Sequence, residues 1–285
     1  MILQKEIAAI AEQKKVPKST IEKDWALGHF LDAIFSVQEL RDNLVFKGGT
    51  CLKKCYFPDY RFSEDLDFTS LHGEFELTNQ QLKQICSHVS ENAGITTSVV
   101  SLLPLKFKDA LTGYEAIIKF WGADHPRNMA PPPPDRWLTK VKIEIIFYEQ
   151  LVFSPETKSI SHQFSDKLTS SSEAIPCYGI NEILAEKLRS LIQRSYTAPR
   201  DFYDIWFLTS NIPNLDFSAI VTAFHEKLKF KNHVFTGIDQ LLNPENDKIL
   251  RSAWVNSLAH QVPGEKFPDY DTVKTDLNNL FEKIF

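Results

Sequence analysis

The chain has 285 residues, 43% of them hydrophobic and 24% charged, with a formal net charge of −5. That length can bury one two-lobed core or two smaller ones, and the composition is that of a globular protein, not a disordered or fibrous one. The charge balance disfavours non-specific binding to long nucleic acid, which calls for a basic field, and no run of about 18 apolar residues marks a membrane span.

The first residues, Met1-Ile2-Leu3-Gln4-Lys5-Glu6, are charged where a signal peptide needs an apolar stretch, so cytoplasmic residence is the expectation. Residues 3–14 and 19–37 carry helical periodicity, through Ile7, Ile10 and Ala11 and then Trp25, Leu27, Phe30, Leu31, Ile34 and Phe35. Pro17 separates them, with Ser19 or Thr20 as the expected N-cap. Leu44-Val45-Phe46 reads as a short buried strand. Gly48 and Gly49 turn the chain, Cys51 to Phe57 form a helix stopped by Pro58, and Phe62 to Thr69 form a second strand. A helix over 79–92 with Gly94 as its stop is followed by strands at 97–103, 114–121 and 138–147. The Pro131–Pro134 run between the last two cannot join a sheet interior and suits a stiff loop, or else the ligand of a polyproline reader. After Cys177 helices are expected near 180–196, 200–210, 216–230, 234–242, 246–259 and 270–285. The fold class is therefore α+β: a lobe with a mixed sheet and N-terminal helices over 1–178, and a helical lobe over 179–285.

Cys51, Cys55, Cys86 and Cys177 form no Cys-x-x-Cys pair, which argues against a structural zinc site or a disulfide framework. Cys51 and Cys55, four apart, share a helix face and read as small buried apolar side chains. Lys14, Lys15, Lys18 and Lys23, or Lys227, Lys229 and Lys231, could line a local basic groove; solvated surface charge is the plainer alternative.

Five short stretches carry chemistry. In a strand, Asp65 and Asp67 point the same way while Leu66 and Phe68 enter the core. Two carboxylates so close repel each other unless a cation such as Mg²⁺ (or Mn²⁺) lies between them; a polar edge strand with two solvated aspartates is the alternative. Upstream, Gly48 and Gly49 let backbone approach a phosphate, Thr50 can cap the helix that follows, and Lys53 is counted with them as a nucleotide contact. In the strand around 141–147, Glu144 faces away from the buried Val141, Ile143 and Ile145 and could complete a three-carboxylate metal site, unless it forms a surface pair with Lys142. On the helix from Asn181, Lys187 lies on the apolar stripe with Arg194 two turns on; an inward lysine needs an anion, either a triphosphate or an internal salt bridge. Asp201 and Asp204, three apart in Arg200-Asp201-Phe202-Tyr203-Asp204, could orient Lys187 or an acceptor hydroxyl, or form a structural network.

Taken together, Glu22-Lys23-Asp24, Phe46-Lys47-Gly48-Gly49-Thr50, Arg61-Phe62-Ser63-Glu64-Asp65-Leu66-Asp67, Glu186-Lys187-Leu188 and Arg200-Asp201-Phe202-Tyr203-Asp204 resemble, in order, the motifs of the AbiEii/AbiGii nucleotidyltransferase toxins. That family includes the mycobacterial MenT toxins and belongs to the DNA-polymerase-β-like nucleotidyltransferases. Cys51 departs from the Ser or Ala that members commonly place after Gly-Gly-Thr. The resemblance implies an NTP-dependent, Mg²⁺-dependent toxin of a toxin–antitoxin or phage-defence pair. It further implies an RNA acceptor such as tRNA, or a protein acceptor, and a cognate antitoxin. It also implies Asp65 and Asp67 as metal ligands, Gly49 and Thr50 as phosphate-loop residues, Lys187 as the triphosphate contact, and Asp204 or Asp201 as a fourth-motif acid. On this reading the helical lobe supplies a second wall for the site. Two alternatives compete: a module of the same fold without turnover, and a haloacid-dehalogenase-like phosphatase suggested by Asp65-Leu66-Asp67-Phe68-Thr69. The latter lacks the usual apolar strand before the first Asp.

Overall fold

Strong apolar alternation in four segments, and one helix apolar nearly all round, dictate a sheet packed against a buried helix. The computed structural model describes residues 1–73, 75–126, 128–194, 199–264 and 267–285. The chain divides into two compact units, one of Met1–Tyr148 with Pro155–Cys177, the other of Glu149–Ser154 with Tyr178–Phe285.

The first unit begins with α1 (Gln4–Lys14), α2 (Lys18–Ser36) and α3 (Gln38–Asn43), followed by β1 (Leu44–Lys47) and the short helix α4 (Gly48–Cys51), which widens into a π turn over Leu52–Tyr56. Then come β2 (Asp65–Ser70), α5 (Asn79–Ala93), β3 (Thr96–Phe107), β4 (Ala110–Trp121), β5 (Lys140–Ile146), β6 (Glu156–Lys158) and β7 (Ile175–Cys177). The strands form one sheet in the order β3-β4-β5-β2-β1-β7-β6. It is mixed: β2 pairs parallel with β5 and β1 parallel with β7, the other neighbours being antiparallel.

One face of the sheet is apolar, with Leu66 and Phe68 of β2, Val141, Ile143 and Ile145 of β5, and Ala116, Ile118 and Phe120 of β4 all buried. α2 covers it: Phe35 meets Phe68 edge-on at 6.0 Å between ring centroids, and Phe30 lies 6.3 Å from Phe120. Burying such side chains contributes about 1.5–3 kcal/mol each. The acids of α2 are buried too, and each anchors something. Glu22 accepts from the Asp124 amide at 2.8 Å. Asp24 pairs with Lys54 at 3.0 Å. Asp32 accepts from the Thr169 amide and hydroxyl and meets His88 at 3.1 Å. Thr78 and Gln81 close a capping box at the start of α5, and Gly94 ends that helix with φ 67°.

The second unit contains α6 (Ile180–Gln193), α7 (Pro199–Asn211), α8 (Phe217–Phe230), α9 (Asp247–Leu258) and α10 (Tyr270–Ile284). Glu149–Ser154 belongs here because Glu182 on α6 accepts the Val152 and Phe153 amides at 3.1 and 2.8 Å, and Lys227 on α8 donates to the Gln150 carbonyl at 2.7 Å.

Several expectations need correction. Pro17, not Ser19 or Thr20, occupies the N-cap of α2, and β2 starts at Asp65, three residues later than expected. The helix expected over 234–242 is only a 3₁₀ turn at Ile238–Gln240, and residues 195–196 of the one expected over 180–196 lie outside the described residues. α3, β6 and β7 were not foreseen: segments of three to six residues are too short for periodicity to register. The proline run is a loop that enters a 3₁₀ turn at Pro134–Arg136, clamped by Trp137 Nε1 donating to the Pro132 carbonyl at 2.7 Å and Lys119 to the Pro134 carbonyl at 3.1 Å. Among the described residues no helix is long and apolar enough to cross a membrane.

Candidate active site

The polar face of the sheet follows from strand alternation and register. β1 sets Lys47 opposite Asp67; β5 sets Lys142 opposite Asp65 and Glu144 opposite Asp67. Laterally paired residues share a face, so Asp65, Asp67 and Glu144 converge on the side away from the α2 core, with Lys47 and Lys142 beside them. β4 adds Glu115 opposite Glu144, a fourth acid that its alternating strand pattern would have offered. Lys142 Nζ pairs with Glu144 at 3.1 Å, so the ion-pair alternative is present, on the same face as the Asp pair.

Electrostatics mark this group. Burial, then the Glu144 and Asp65 carboxylates, push the Asp67 carboxyl up to about 6, with Lys47 and Lys142 acting the other way. Burial lowers the Lys142 ammonium, but Glu144, Asp65 and Asp67 outweigh it and raise the pKa overall. Oxygen donors crowded this way suit a hard divalent cation such as Mg²⁺ or Mn²⁺. Asp65, Asp67 and Glu144 are the residues that would hold it.

Gly48 abuts this group. Its φ is +79°, and a Cβ built there would lie 2.6 Å from Asp67 Oδ2. At Gly49 a Cβ would meet Arg61 Nη2 at 2.7 Å and Ser63 Oγ at 3.2 Å. The glycines thus let the turn lie against the Asp67 carboxylate on one side and the buried Arg61 guanidinium on the other. In the sequence, only the place of Arg61 four residues before Asp65 marks it as a site residue. We expect Gly48→Ala to cost roughly 1–2 kcal/mol from the left-handed backbone alone, and to displace Asp67. Urea unfolding measures the first effect; the second predicts a fall in nucleotidyl transfer larger than the stability loss can explain.

Thr50 does not cap the helix. Lys47 holds the cap position without a side-chain bond, and the Thr50 hydroxyl donates instead to the Asp65 carbonyl at 2.6 Å, tying α4 to the first residue of β2. Lys53 is buried with its ammonium on the Pro58 and Tyr60 carbonyls, at 2.9 and 3.4 Å, and 4.1 Å above the Phe62 ring. Burial brings its pKa down to about 8.

The helical unit assembles a second cluster. Lys187 Nζ on α6 lies 2.5 Å from Asp204 Oδ2 and 3.0 Å from Asp201 Oδ1, both on α7, and Arg194 pairs with the other Asp201 oxygen. Lys187, Asp201 and Asp204 are buried, whereas Arg194 is exposed at 40%. The structure therefore gives Lys187 internal anionic partners, and its two aspartates hold the ammonium in place.

The lysine clusters do not form the grooves considered above as a whole. Lys227 is fully buried, and Lys14 and Lys23 pair with Asp59 and Glu64 at 2.6 and 3.5 Å.

The AbiEii profile, described as the nucleotidyl transferase AbiEii toxin of a type IV TA system, matches residues 29–276. No curated protein sequence matches the chain. MenT4, a nucleotidyltransferase toxin from Mycobacterium tuberculosis H37Rv, superposes with a TM-score of 0.64 at 17% identity, covering 100% of this chain and 90% of its own. JHP933 from Helicobacter pylori gives 0.51 at 19% identity, with 91% of each chain covered. At such identities the two structures speak to fold, and they bear out the α+β nucleotidyltransferase architecture. The profile takes in Gly48, Asp65, Asp67, Glu144, Lys187 and Asp204 together, and by it the chain belongs to the AbiEii family of nucleotidyl transferase toxins of toxin–antitoxin systems.

Proposed function

We propose that this toxin uses an NTP and Mg²⁺ (or Mn²⁺) to add a nucleotide to a hydroxyl of an RNA acceptor of the tRNA class. One observation carries the reading: Asp65, Asp67 and Glu144 lie at neighbouring register positions on one face of two parallel strands, and Asp67 lies directly against the positive-φ Gly48 turn. In the reaction the acceptor oxygen bonds to the α-phosphorus, the bond to the β-phosphate's bridging oxygen breaks, and pyrophosphate leaves. A bound divalent cation supplies charge neutralisation at the phosphates.

The residues of the chain do the rest. Gly48 and Gly49 give the phosphates access to backbone amides, with the Arg61 guanidinium beside them. Glu144 or one of the later acids, Asp201 or Asp204, takes the proton of the acceptor hydroxyl. The family resemblance assigns Lys187 to the triphosphate; Asp201 and Asp204 then act as positioning residues. A cognate antitoxin protein and residence in the cytoplasm are part of the same proposal.

The test is radiolabelled NTP incubated with the purified chain, total RNA and total protein, with and without Mg²⁺. Label on RNA that requires Mg²⁺ is the expected result. Label confined to protein would replace the acceptor class, and no label with any of the four NTPs would overturn the reading.

A further inference from the structure

Cys51 on α4, Cys55 in the π turn after it and Cys177 at the end of β7 bring their sulfurs within 4.8 Å of one another. Spacing along the chain pointed away from any such group; the fold creates it, because β7 lies parallel to β1 with Cys177 opposite Phe46, and β1 leads directly into α4. Cys51 and Cys177 are fully buried and Cys55 is half-buried, all as free thiols. Tyr56 Oη lies 3.8 Å from Cys177 Sγ, and Lys158, which pairs with Glu156 at 2.9 Å, places its ammonium 4.9 Å from the centroid of the Tyr56 ring.

We propose that Cys51, Cys55 and Cys177 form a binding site for one thiophilic cation of the zinc(II) or copper(I) class. At a metal–sulfur distance of about 2.3 Å, three sulfurs around one ion stand about 4 Å apart, a spacing the cluster already permits. Soft sulfur donors select these ions over the hard cations that suit the Asp65–Asp67–Glu144 group, so the two sites are chemically distinct. Binding releases the thiol protons to solvent and leaves a metal–thiolate group of net negative charge, which the neighbouring Lys158 offsets. Three thiolates complete a trigonal copper(I) site; zinc needs a fourth ligand, and the half-exposed Cys55 side admits a water. Either ion would staple β7 to α4 and so stabilise the strand-rich unit, since metal binding adds to folding free energy.

Cobalt(II) serves as the spectroscopic substitute for zinc, added to the full chain purified under reductant with four thiols titrating. A thiolate-to-cobalt charge-transfer band saturating at one ion per chain, and displaced by equimolar zinc, is expected for the zinc class. In the second arm, uptake of one copper(I) per chain from a competing chelator, without that cobalt band, marks the copper class. Whichever ion binds should raise the thermal midpoint. Cys177→Ser and Cys55→Ser should each lose stoichiometric binding and the rise in midpoint. Cys86→Ser and Asp67→Asn should keep both, which separates this site from the carboxylates. Should Cys177→Ser fail to fold by circular dichroism, the half-exposed Cys55→Ser decides alone. The proposal is overturned if neither ion binds, if binding survives both substitutions, or if the cluster instead yields a disulfide, seen as two missing thiols.

Discussion

Asp67→Asn is expected to lower nucleotidyl transfer by roughly 1,000-fold, the rate equivalent of about 4 kcal/mol of lost charge stabilisation, while making the metal-free protein more stable at neutral pH. The two effects share one cause. The folded chain holds Asp67 at about 6 against an ordinary value of 3.8, because burial and the Glu144 and Asp65 charges disfavour its ionised form. A raised carboxyl pKa means that the folded state binds a proton more tightly than the unfolded one. Between pH 3.8 and 6 the unfolded state binds fewer protons, so stability falls as pH rises through that window and stays low above it. Asparagine has no charge to lose. In a chelator, the unfolding midpoint of the variant should therefore exceed that of wild type at pH 7, and the advantage should vanish below about pH 3.8. Wild-type transfer by the variant would refute the assignment of Asp67. A variant less stable than wild type at pH 7 would show that Lys47 and Lys142 hold the carboxylate for structural reasons.

The contrast between these carboxylates and the rest of the molecule explains what the chain discloses of itself. Gly48, Gly49, Asp65 and Asp67 lie within one strand–helix–strand segment, where alternation alone sets Asp65 and Asp67 on one face. Glu144 was legible only on the condition that its strand neighbours β2, and strand order is a global property that no local pattern carries. Lys187 was ambiguous for a physical reason: an inward lysine demands an anion, and periodicity does not say whether a ligand or an aspartate supplies it. Cys177 was out of reach. It sits on a three-residue strand whose partner β1 is distant in sequence, so nothing near it announces Cys51 or Cys55. Lys227 was misjudged on the base expectation that lysine is solvated. It instead sits at the centre of ion pairs, and only its partners reveal it.

Lys227→Met should be among the most destabilising single changes in the helical unit, at about 3–5 kcal/mol. At 0% exposure its ammonium lies 2.5 Å from Glu182 Oε1 and 3.4 Å from Glu149 Oε1, and donates to the Gln150 carbonyl. Glu149 is shared with Arg189, whose Nη2 lies 2.9 Å away and also has Glu186 Oε1 at 3.9 Å, so Lys227 and Arg189 together hold the buried Glu149 and Glu182. Glu182 has a second task, its other oxygen accepting the Val152 and Phe153 amides. Methionine keeps most of the volume of lysine but leaves one buried carboxylate charge in excess, and protonating or hydrating that carboxylate costs what the pair had offset. The segment 149–154 depends on these contacts, so its amide protons should exchange faster in the variant than those of α9, which lies outside the network. Replacing both ends should recover part of the loss: Lys227→Met combined with Glu182→Gln removes the excess charge while an amide oxygen can still accept from the 152–153 backbone. A loss below about 1 kcal/mol for the single variant, or a double variant less stable than the single one by the full cost of Glu182→Gln alone, would show that the network contributes no more than a surface pair.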